Sequence, residues 1–309
     1  MSKVFTVAQV IVPIFVAISL GLLAKRKQLL SDEENRGLQQ FVMKFGLPCV
    51  IFNSCLTADI GSESLGVMAM VIPFVLLSTL WAFSSRKNKF PHHNLPMLFC
   101  AQETGMLGIP LFMILFGVDQ AYRIGILDIT QAVVVYPVIG ILSANTGENP
   151  TIKSILKSVC TSPLLIMCAL GLALNFSGAR NVLADVGVLG IITETTGFLA
   201  QPVSAMMIFS VGYNFSLDSG NRSTIFKIST IHFIMFALFG LIIQAGLFFL
   251  PGIEPITRWS ILLYTTLPAS FLAPGMGRTD ADRTIASGVC SILTIVSLLI
   301  FCVIAIAVA

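Results

Sequence analysis

The amino-acid sequence predicts an all-α polytopic membrane protein with ten transmembrane helices. Of its 309 residues, 56% are hydrophobic and only 11% are charged, whereas a soluble domain is typically about 25% charged. Ten stretches are apolar enough to cross a bilayer, which takes about 20 residues per helix. A pattern of proline and glycine that recurs along the chain divides these ten stretches into two sets of five.

The ten predicted spans are joined by short loops, and none of these loops is long enough to hold a soluble domain. The spans are predicted at about 5–24, 38–56, 66–84, 95–117, 123–144, 155–175, 187–212, 226–250, 259–276 and 284–308. The first span has the length of a signal peptide, but its basic cluster follows the apolar run and no small-residue cleavage site is present. We therefore predict that it is retained.

The distribution of lysine and arginine predicts the orientation, because cytoplasmic loops carry an excess of both. With the N-terminus outside, four basic residues lie on the outer side, namely Lys3, Arg123, Arg180 and Arg258. The other fourteen of the eighteen then lie on the cytoplasmic side, in or beside loops near 25–37, 85–94, 145–154, 218–226 and 277–284. Both termini are predicted to be outside.

Three prolines in the first half of the chain align in order with three prolines in the second half. The pairs are Pro13 with Pro163, Pro48 with Pro202, and Pro110 with Pro274. Residues 1–309 are therefore predicted to form a single membrane domain with two repeats at about 1–147 and 153–309. Because five is an odd number, the second repeat enters the membrane inverted, and inverted repeats are typical of secondary transporters.

The fourth and ninth spans are predicted to be broken at equivalent places, with the backbone unwound near 104–109 and 268–273. The fourth contains the segment QETGMLGIPL at 102–111, and the ninth contains LPASFLAP at 267–274. Glycine lowers the cost of leaving helical geometry, and proline removes an N–H group. A matched pair of broken helices is the best indication in a sequence of a transport site. The candidate site residues are Gln102, Glu103, Thr104, Gly105, Gly108, Pro110, Thr266, Pro268, Ser270 and Pro274.

Glu103 is the predicted coupling residue. An ionised carboxylate at the bilayer centre costs at least ~2.5 kcal/mol, and a proton or a bound cation would remove this cost. The coupling ion is predicted to be H⁺ or Na⁺, with sodium held near Gln102, Glu103, Thr266 and Ser270. The alternative is that Glu103 stays protonated and hydrogen-bonds a neighbouring helix. No cofactor and no other metal site is predicted.

Two further polar residues within the spans are candidates. Asn53 lies in the second span, which contains Pro48. Asp128 lies about one turn into the fifth span and is a second candidate for coupling. It either pairs with Arg123 or lies at an interface. Gln131 is also polar, but a packing hydrogen bond explains it equally well.

Three segments resemble the auxin efflux carrier family, which includes the plant PIN carriers and bacterial organic-acid permeases. They are NRGLQQFVMKFGLPCVIFNS at 35–54, TGMLGIPL at 104–111 and LPASFLAP at 267–274. The resemblance extends over the whole chain in order, and it implies a fold like that of bile-acid sodium symporters. In such a fold, spans 1, 2, 6 and 7 form a panel domain, and spans 3–5 and 8–10 form a core domain in which the broken helices cross.

The resemblance also implies a function. Family substrates are small carboxylates such as auxin, malonate and malate, and one domain moves against the other in an elevator mechanism. The short loop near 145–154 suits a bacterial permease of the cytoplasmic membrane, with a homodimer left open as the oligomeric state. The family often has asparagine at the position of Glu103. The extra carboxylate favours cation coupling and leaves a neutral or cationic substrate open.

The sequence therefore predicts a secondary transporter whose partners are a small carboxylate and the lipid bilayer. A net charge of +3 gives no indication of nucleic-acid binding. An intramembrane enzyme is disfavoured, because the sequence contains neither HExxH nor GxSxG, and no histidine lies beside a candidate nucleophile. A channel or uniporter for a small solute remains the main alternative.

Overall fold

The structure, a computed structural model, describes residues 3–57, 62–144, 161–215, 221–249 and 252–308. Within these ranges every regular element is a helix, and the strand-like pairing is confined to one isolated bridge. The predicted fold class, an all-α polytopic membrane protein, is confirmed.

The described part of the first half of the chain contains seven α-helices. They are α1 Lys3–Arg26, α2 Asp32–Phe41, α3 Leu47–Thr57, α4 Ser62–Asn88, α5 Leu95–Cys100, α6 Ile109–Phe116 and α7 Ala121–Ala144. Two π-helical turns, Val42–Gly46 and Thr104–Gly108, precede α3 and α6. The helices α1, α4 and α7 correspond closely to the first, third and fifth predicted spans.

The described part of the second half also contains seven α-helices. They are α8 Pro163–Phe176, α9 Ala179–Asp185, α10 Val188–Ala200, α11 Val203–Tyr213, α12 Arg222–Phe248, α13 Pro255–Thr266 and α14 Asp280–Val308. The short helix α9 is not predicted by the sequence. The first part of the predicted sixth span and the predicted loop at 145–154 lie outside the described residues.

Four helices of the described residues are long and apolar enough to cross a membrane. They lie at Ala8–Arg26, Ser64–Lys87, Arg222–Phe248 and Asp280–Val308. The helices α8 and α9 meet at a bend of 80° and would count as a fifth span if taken together. The second, fourth, seventh and ninth predicted spans are each interrupted by a π-turn, a turn or a break. The total of ten spans therefore stays a prediction.

The long helices expose apolar side chains as well as bury them, as expected of helices surrounded by lipid. On α12, Leu241 is 67% exposed while Ile243 is buried. On α14, Val303 is 65% exposed while Phe301 is buried. A soluble protein would place polar side chains on the outer face, so this surface fits a bilayer.

Each of the two π-turns ends two residues before a proline. Val42–Gly46 precedes Pro48, and Thr104–Gly108 precedes Pro110. A proline has no N–H group to donate, and its ring clashes with the carbonyl four residues earlier. The wider π-turn accommodates both effects without ending the helix. The prediction that Pro110 breaks the fourth span is therefore wrong, since Pro110 lies in the first turn of α6.

Glycines allow two pairs of helices to pack with their backbones in contact. A Cβ atom on Gly21 of α1 would lie 2.0 Å from the Phe209 oxygen of α11, and one on Gly171 of α8 would lie 2.8 Å from the Phe52 oxygen of α3. Gly21 and Gly171 are equivalent in the predicted repeat, and each contacts a helix of the opposite half. An inverted repeat would produce this relation, although the repeat itself stays a prediction.

The buried apolar side chains form two clusters in the described residues. One contains residues of α4, α5, α7, α12, α13 and α14. The other contains residues of α1, α3, α6, α8, α10 and α11, together with further residues of α7, α13 and α14. The first cluster therefore includes α5 and α13, which precede the two breaks, and α14, which follows the second, whereas α6, which follows the first break, belongs to the second cluster.

Candidate functional site

The two interrupted spans meet at their interruptions, which we call the crossing and define as residues 101–103 and 267–273. The Glu103 N–H donates to the Pro268 carbonyl at 2.8 Å, and the Ser270 N–H donates to the Ala101 carbonyl at 3.1 Å. These two bonds form an antiparallel bridge between Gln102 and Ala269. Two breaks that are more than 160 residues apart in the sequence therefore provide hydrogen-bond partners for each other's backbone groups.

The first break lies slightly earlier in the chain than the sequence predicts. Unwinding is expected at 104–109, but the extended backbone is at 101–103, where Ala101 has φ −150° and ψ 145°. Residues Thr104–Gly108 are π-helical. Neither Gly105 nor Gly108 has a positive φ, so both glycines remain within helical geometry. The second break, predicted at 268–273, begins at Leu267, directly after α13.

Gly108 allows close packing across the crossing, whereas Gly105 lies at its edge. A Cβ atom on Gly108 would lie 2.5 Å from the Leu267 side chain. A Cβ atom on Gly105 would be 3.8 Å from Met43 and Leu47 of the second span, an ordinary van der Waals distance. Gly105 therefore places the crossing next to α3 and the π-turn that precedes it, Val42–Gly46.

The carboxamide of Gln131 replaces a missing backbone partner at the first break. Its Oε1 accepts from the Gln102 N–H at 2.8 Å, and its Nε2 donates to the Gln102 carbonyl at 2.9 Å. A side-chain amide carries one acceptor and one donor in the same arrangement as a peptide group, so it satisfies both backbone groups of Gln102. Tyr264 of α13 also donates to the Gln131 Oε1, at 3.1 Å.

The Glu103 carboxylate joins the two breaks. Its Oε1 accepts from the Met106 N–H at 3.1 Å, and its Oε2 accepts from the Phe271 N–H at 2.6 Å. The residue is only 8% exposed. Amide donors stabilise an ionised carboxylate through charge-assisted hydrogen bonds. Glu103 therefore caps the start of the π-turn in its own span and holds the opposite break as well.

Asp128 lies beside the first break and does not pair with Arg123. Its Oδ1 accepts from the Thr104 hydroxyl and, at 2.9 Å, from the Gln131 Nε2. Arg123 instead pairs with Glu254 at 2.5 Å. Among the described residues, no Lys, Arg or His forms an ion pair with Glu103 or Asp128. In the part of the chain that the structure describes, the carboxyl groups of Glu103 in the crossing and of Asp128 beside it are therefore held by neutral donors.

The remaining candidates from the sequence make local bonds. The Thr266 hydroxyl donates to the Leu262 carbonyl in its own helix at 3.1 Å. The Ser270 hydroxyl accepts from the Leu272 N–H at 3.3 Å. Pro274 begins the 3₁₀ turn that follows the second break. The sodium site predicted at Gln102, Glu103, Thr266 and Ser270 therefore stays a prediction. The hydrogen bond of the Thr266 hydroxyl within its own helix does not support it.

Asn53 lies away from this cluster. Its Oδ1 accepts from the Thr196 hydroxyl at 2.5 Å, which links α3 to α10. Gln102, by contrast, is 1% exposed, and in the orientation that its neighbours favour its side chain donates to the Leu267 and Pro268 carbonyls at 3.1 and 3.0 Å. The side chain of Gln102 therefore belongs to the crossing, and that of Asn53 belongs to a helix contact.

The sequence does not predict the roles of two residues that contact the crossing. Tyr264 is not predicted, and Gln131 is treated as an ordinary packing residue. One signal was available, because Gln131 follows Asp128 by three residues and so lies on the same face of α7. No comparable signal marks Tyr264, which is one of several polar residues at the end of α13.

Comparison with known proteins supports the transport interpretation. The sequence matches the family described as membrane transport protein over residues 6–305. A protein of Methanothermobacter thermautotrophicus (strain Delta H) named as an uncharacterized transporter is 23% identical over 248 residues, which is 68% of this chain and 82% of that protein. These matches confirm the resemblance to the auxin efflux carrier family. Because the family match spans nearly the whole sequence, the chain belongs to the membrane transport protein family.

Proposed function

We propose that this protein is a secondary active transporter of small carboxylates and that its substrate binds at the crossing. The observation that carries the proposal is the pairing of the two interrupted spans through the Glu103 N–H and the Pro268 carbonyl, 2.8 Å apart. Irregular backbone at membrane depth is tolerated only where protein or a water-filled cavity surrounds it. In secondary transporters, such paired interruptions surround the substrate.

The packing of the helices supports an elevator mechanism. One apolar cluster packs α4, α5, α7, α12, α13 and α14 together around the crossing. In the proposal these helices and α6 form the moving core, and α1, α2, α3, α8, α10 and α11 form the panel, against which α6 packs in the second cluster. Gly105 lies against Met43 and Leu47 of the panel. The crossing therefore borders the surface along which an elevator would slide.

The proposed location is the bacterial cytoplasmic membrane, with both termini outside. Fourteen of the eighteen lysines and arginines would then lie on the cytoplasmic side, as the positive-inside rule requires. A homodimer is compatible with this arrangement. The proposed coupling ion is a proton or sodium, because the carboxyl groups of Glu103 and Asp128 form no ion pair with a basic residue among the described residues.

The proposal is tested by uptake into proteoliposomes. Radiolabelled malonate, malate and auxin would be supplied in turn, with an inward proton gradient, an inward sodium gradient or neither. We expect saturable accumulation of at least one acid above its equilibrium level under one of the gradients. Liposomes without protein provide the control for passive entry.

Other outcomes would contradict the proposal. Uptake that only equilibrates and does not saturate would indicate a channel, and saturable equilibration without any effect of a gradient would indicate a uniporter. Chemical conversion of the supplied acid would indicate an enzyme, which membership of a transport family disfavours.

A further inference from the structure

The amide groups that hold Glu103 form a receptor for a carboxylate. The Met106 N–H group comes from the π-turn after the first break and the Phe271 N–H group from the second break, and they reach the two oxygens of one carboxylate at 3.1 and 2.6 Å. Met106 lies at the beginning of the helical run Thr104–Phe116, where the helix dipole favours negative charge. A carboxylate of the chain itself already occupies this receptor, which shows that the site accepts that group.

The proposed substrate carries the same chemical group as Glu103. We propose that a substrate carboxylate exchanges with the Glu103 carboxylate at the Met106 and Phe271 amides, and that Glu103 takes up a proton when it leaves them. This inference rests on the proposed function and specifies its coupling ion and substrate group. Proton binding to Glu103 thus becomes a condition for substrate binding at these amides.

The exchange keeps the charge of Glu103 and of the carboxylate group bound at the two amides constant in total. Before exchange, the amides hold one ionised side chain. After exchange, they hold one substrate carboxylate, and the Glu103 carboxyl group carries a proton delivered by a hydronium ion of the aqueous phase. One O–H bond of the hydronium ion breaks as the Glu103 O–H bond forms, and no other covalent bond changes. If Glu103 left the amides ionised, a second unpaired carboxylate inside the membrane would cost at least ~2.5 kcal/mol. One proton therefore moves with each substrate molecule.

The other titratable groups around Glu103 do not offer the same exchange. Asp128 on α7 is held by the Thr104 hydroxyl and the Gln131 carboxamide. Tyr264 on α13 donates to Gln131. Cys290 on α14 donates to the Ala269 and Ser270 carbonyls, 3.6 Å from its sulfur. Among these groups, only Glu103 accepts backbone amides from both interrupted spans.

The experiment measures binding of radiolabelled malonate to the purified protein as a function of pH. If the acid that is transported best in the uptake experiment binds more tightly than malonate, that acid is used instead of malonate. For the wild type, we expect the apparent affinity to fall about tenfold per pH unit above the titration of Glu103, as linkage to one proton requires. For Glu103→Gln, which cannot titrate, we expect this dependence to disappear. Ionisation of malonate itself is common to both proteins and cancels in their ratio.

Asp128→Asn provides the matched control, because it removes the neighbouring carboxylate and keeps an acceptor for Thr104 and Gln131. The malonate affinity of Asp128→Asn should differ from that of the wild type by the same factor at every pH. Its dependence on pH should therefore keep the wild-type slope. The proposal is overturned if Glu103→Gln retains the wild-type slope or if Asp128→Asn abolishes it.

A second measurement on the wild type does not depend on whether Glu103→Gln folds. Proteoliposomes with an internal pH dye should show one proton entering with each malonate molecule. Carboxylate uptake without proton entry, including uptake driven by sodium alone, would overturn the exchange and leave the transport function intact. If no carboxylate is taken up under any gradient, the proposed function itself fails.

Discussion

Replacing Gln131 by leucine is expected to abolish transport and to destabilise the protein strongly. The Gln131 carboxamide satisfies both backbone groups of Gln102, at 2.8 and 2.9 Å. Leucine has a similar volume but removes the partner of two buried donors, the Gln102 N–H and the Tyr264 hydroxyl, whereas the Gln102 carbonyl still accepts from the Thr104 N–H at 2.9 Å. At ~1–3 kcal/mol for each unsatisfied group, the free energy of unfolding should fall by about 2–6 kcal/mol.

This effect is measured as the thermal unfolding midpoint of the detergent-solubilised protein, with uptake measured in parallel. Gln244→Leu is the matched control, because the Gln244 side chain donates to the Arg258 carbonyl at 2.7 Å outside the crossing. We expect the control to unfold close to the wild-type temperature and to transport substrate. Equal midpoints for Gln131→Leu and Gln244→Leu would show that the carboxamide is not required at the break.

The second large effect is expected when alanine replaces the glycines between α1 and α11. A Cβ atom on Gly21 would lie 2.0 Å from the Phe209 oxygen, and one on Gly212 would lie 2.1 Å from the Ile18 oxygen. Both clashes are with backbone atoms, so no side chain can rotate to relieve them and the two helices must separate. We expect a loss of about 3 kcal/mol or more, at the upper end of the range for overpacking.

Two further glycine-to-alanine variants provide a smaller expected effect and a control. A Cβ atom on Gly171 would lie 2.8 Å from the Phe52 oxygen, so Gly171→Ala should destabilise less than Gly21→Ala. A Cβ atom on Gly190 of α10 would have no neighbour within 4 Å, so Gly190→Ala should be neutral or slightly stabilising. Unfolding midpoints that do not follow this order would contradict the close packing of α1 against α11.

The sequence predicts the long helices well because their signal is local. The ends of α4, α7, α12 and α14 lie within a few residues of the predicted spans, since an apolar run of sufficient length is a direct requirement of the bilayer. The second break is also predicted closely. Here Pro268 and the short apolar segment after it do interrupt the helix, and residues 267–273 leave helical geometry.

The sequence cannot predict the details of the crossing as well, for two physical reasons. A proline within a helix can cause either a break or a π-turn, and the local sequence around Pro110 does not distinguish them. The partners of Gln102 and Glu103 lie on α7 and in the ninth span, far away in the chain. Their roles depend on long-range packing, which neither periodicity nor composition records.

The central claim is that the two interrupted spans pair directly at Gln102 and Ala269. These residues lie opposite each other between the two bridging hydrogen bonds. In such a pair the Cα atoms are about 4.5 Å apart, within the range that a disulfide requires. The measurement is disulfide formation in the double variant Gln102→Cys with Ala269→Cys, made after the seven native cysteines are replaced.

Mass spectrometry of the oxidised and digested protein would detect the linked peptides. The control pair is Gln102→Cys with Leu299→Cys, because Leu299 is 60% exposed on the outer face of α14. The structure predicts that the first pair cross-links nearly completely under mild oxidation and that the control pair does not. Absence of the link in the first pair, or equal linking in both, would contradict the crossing.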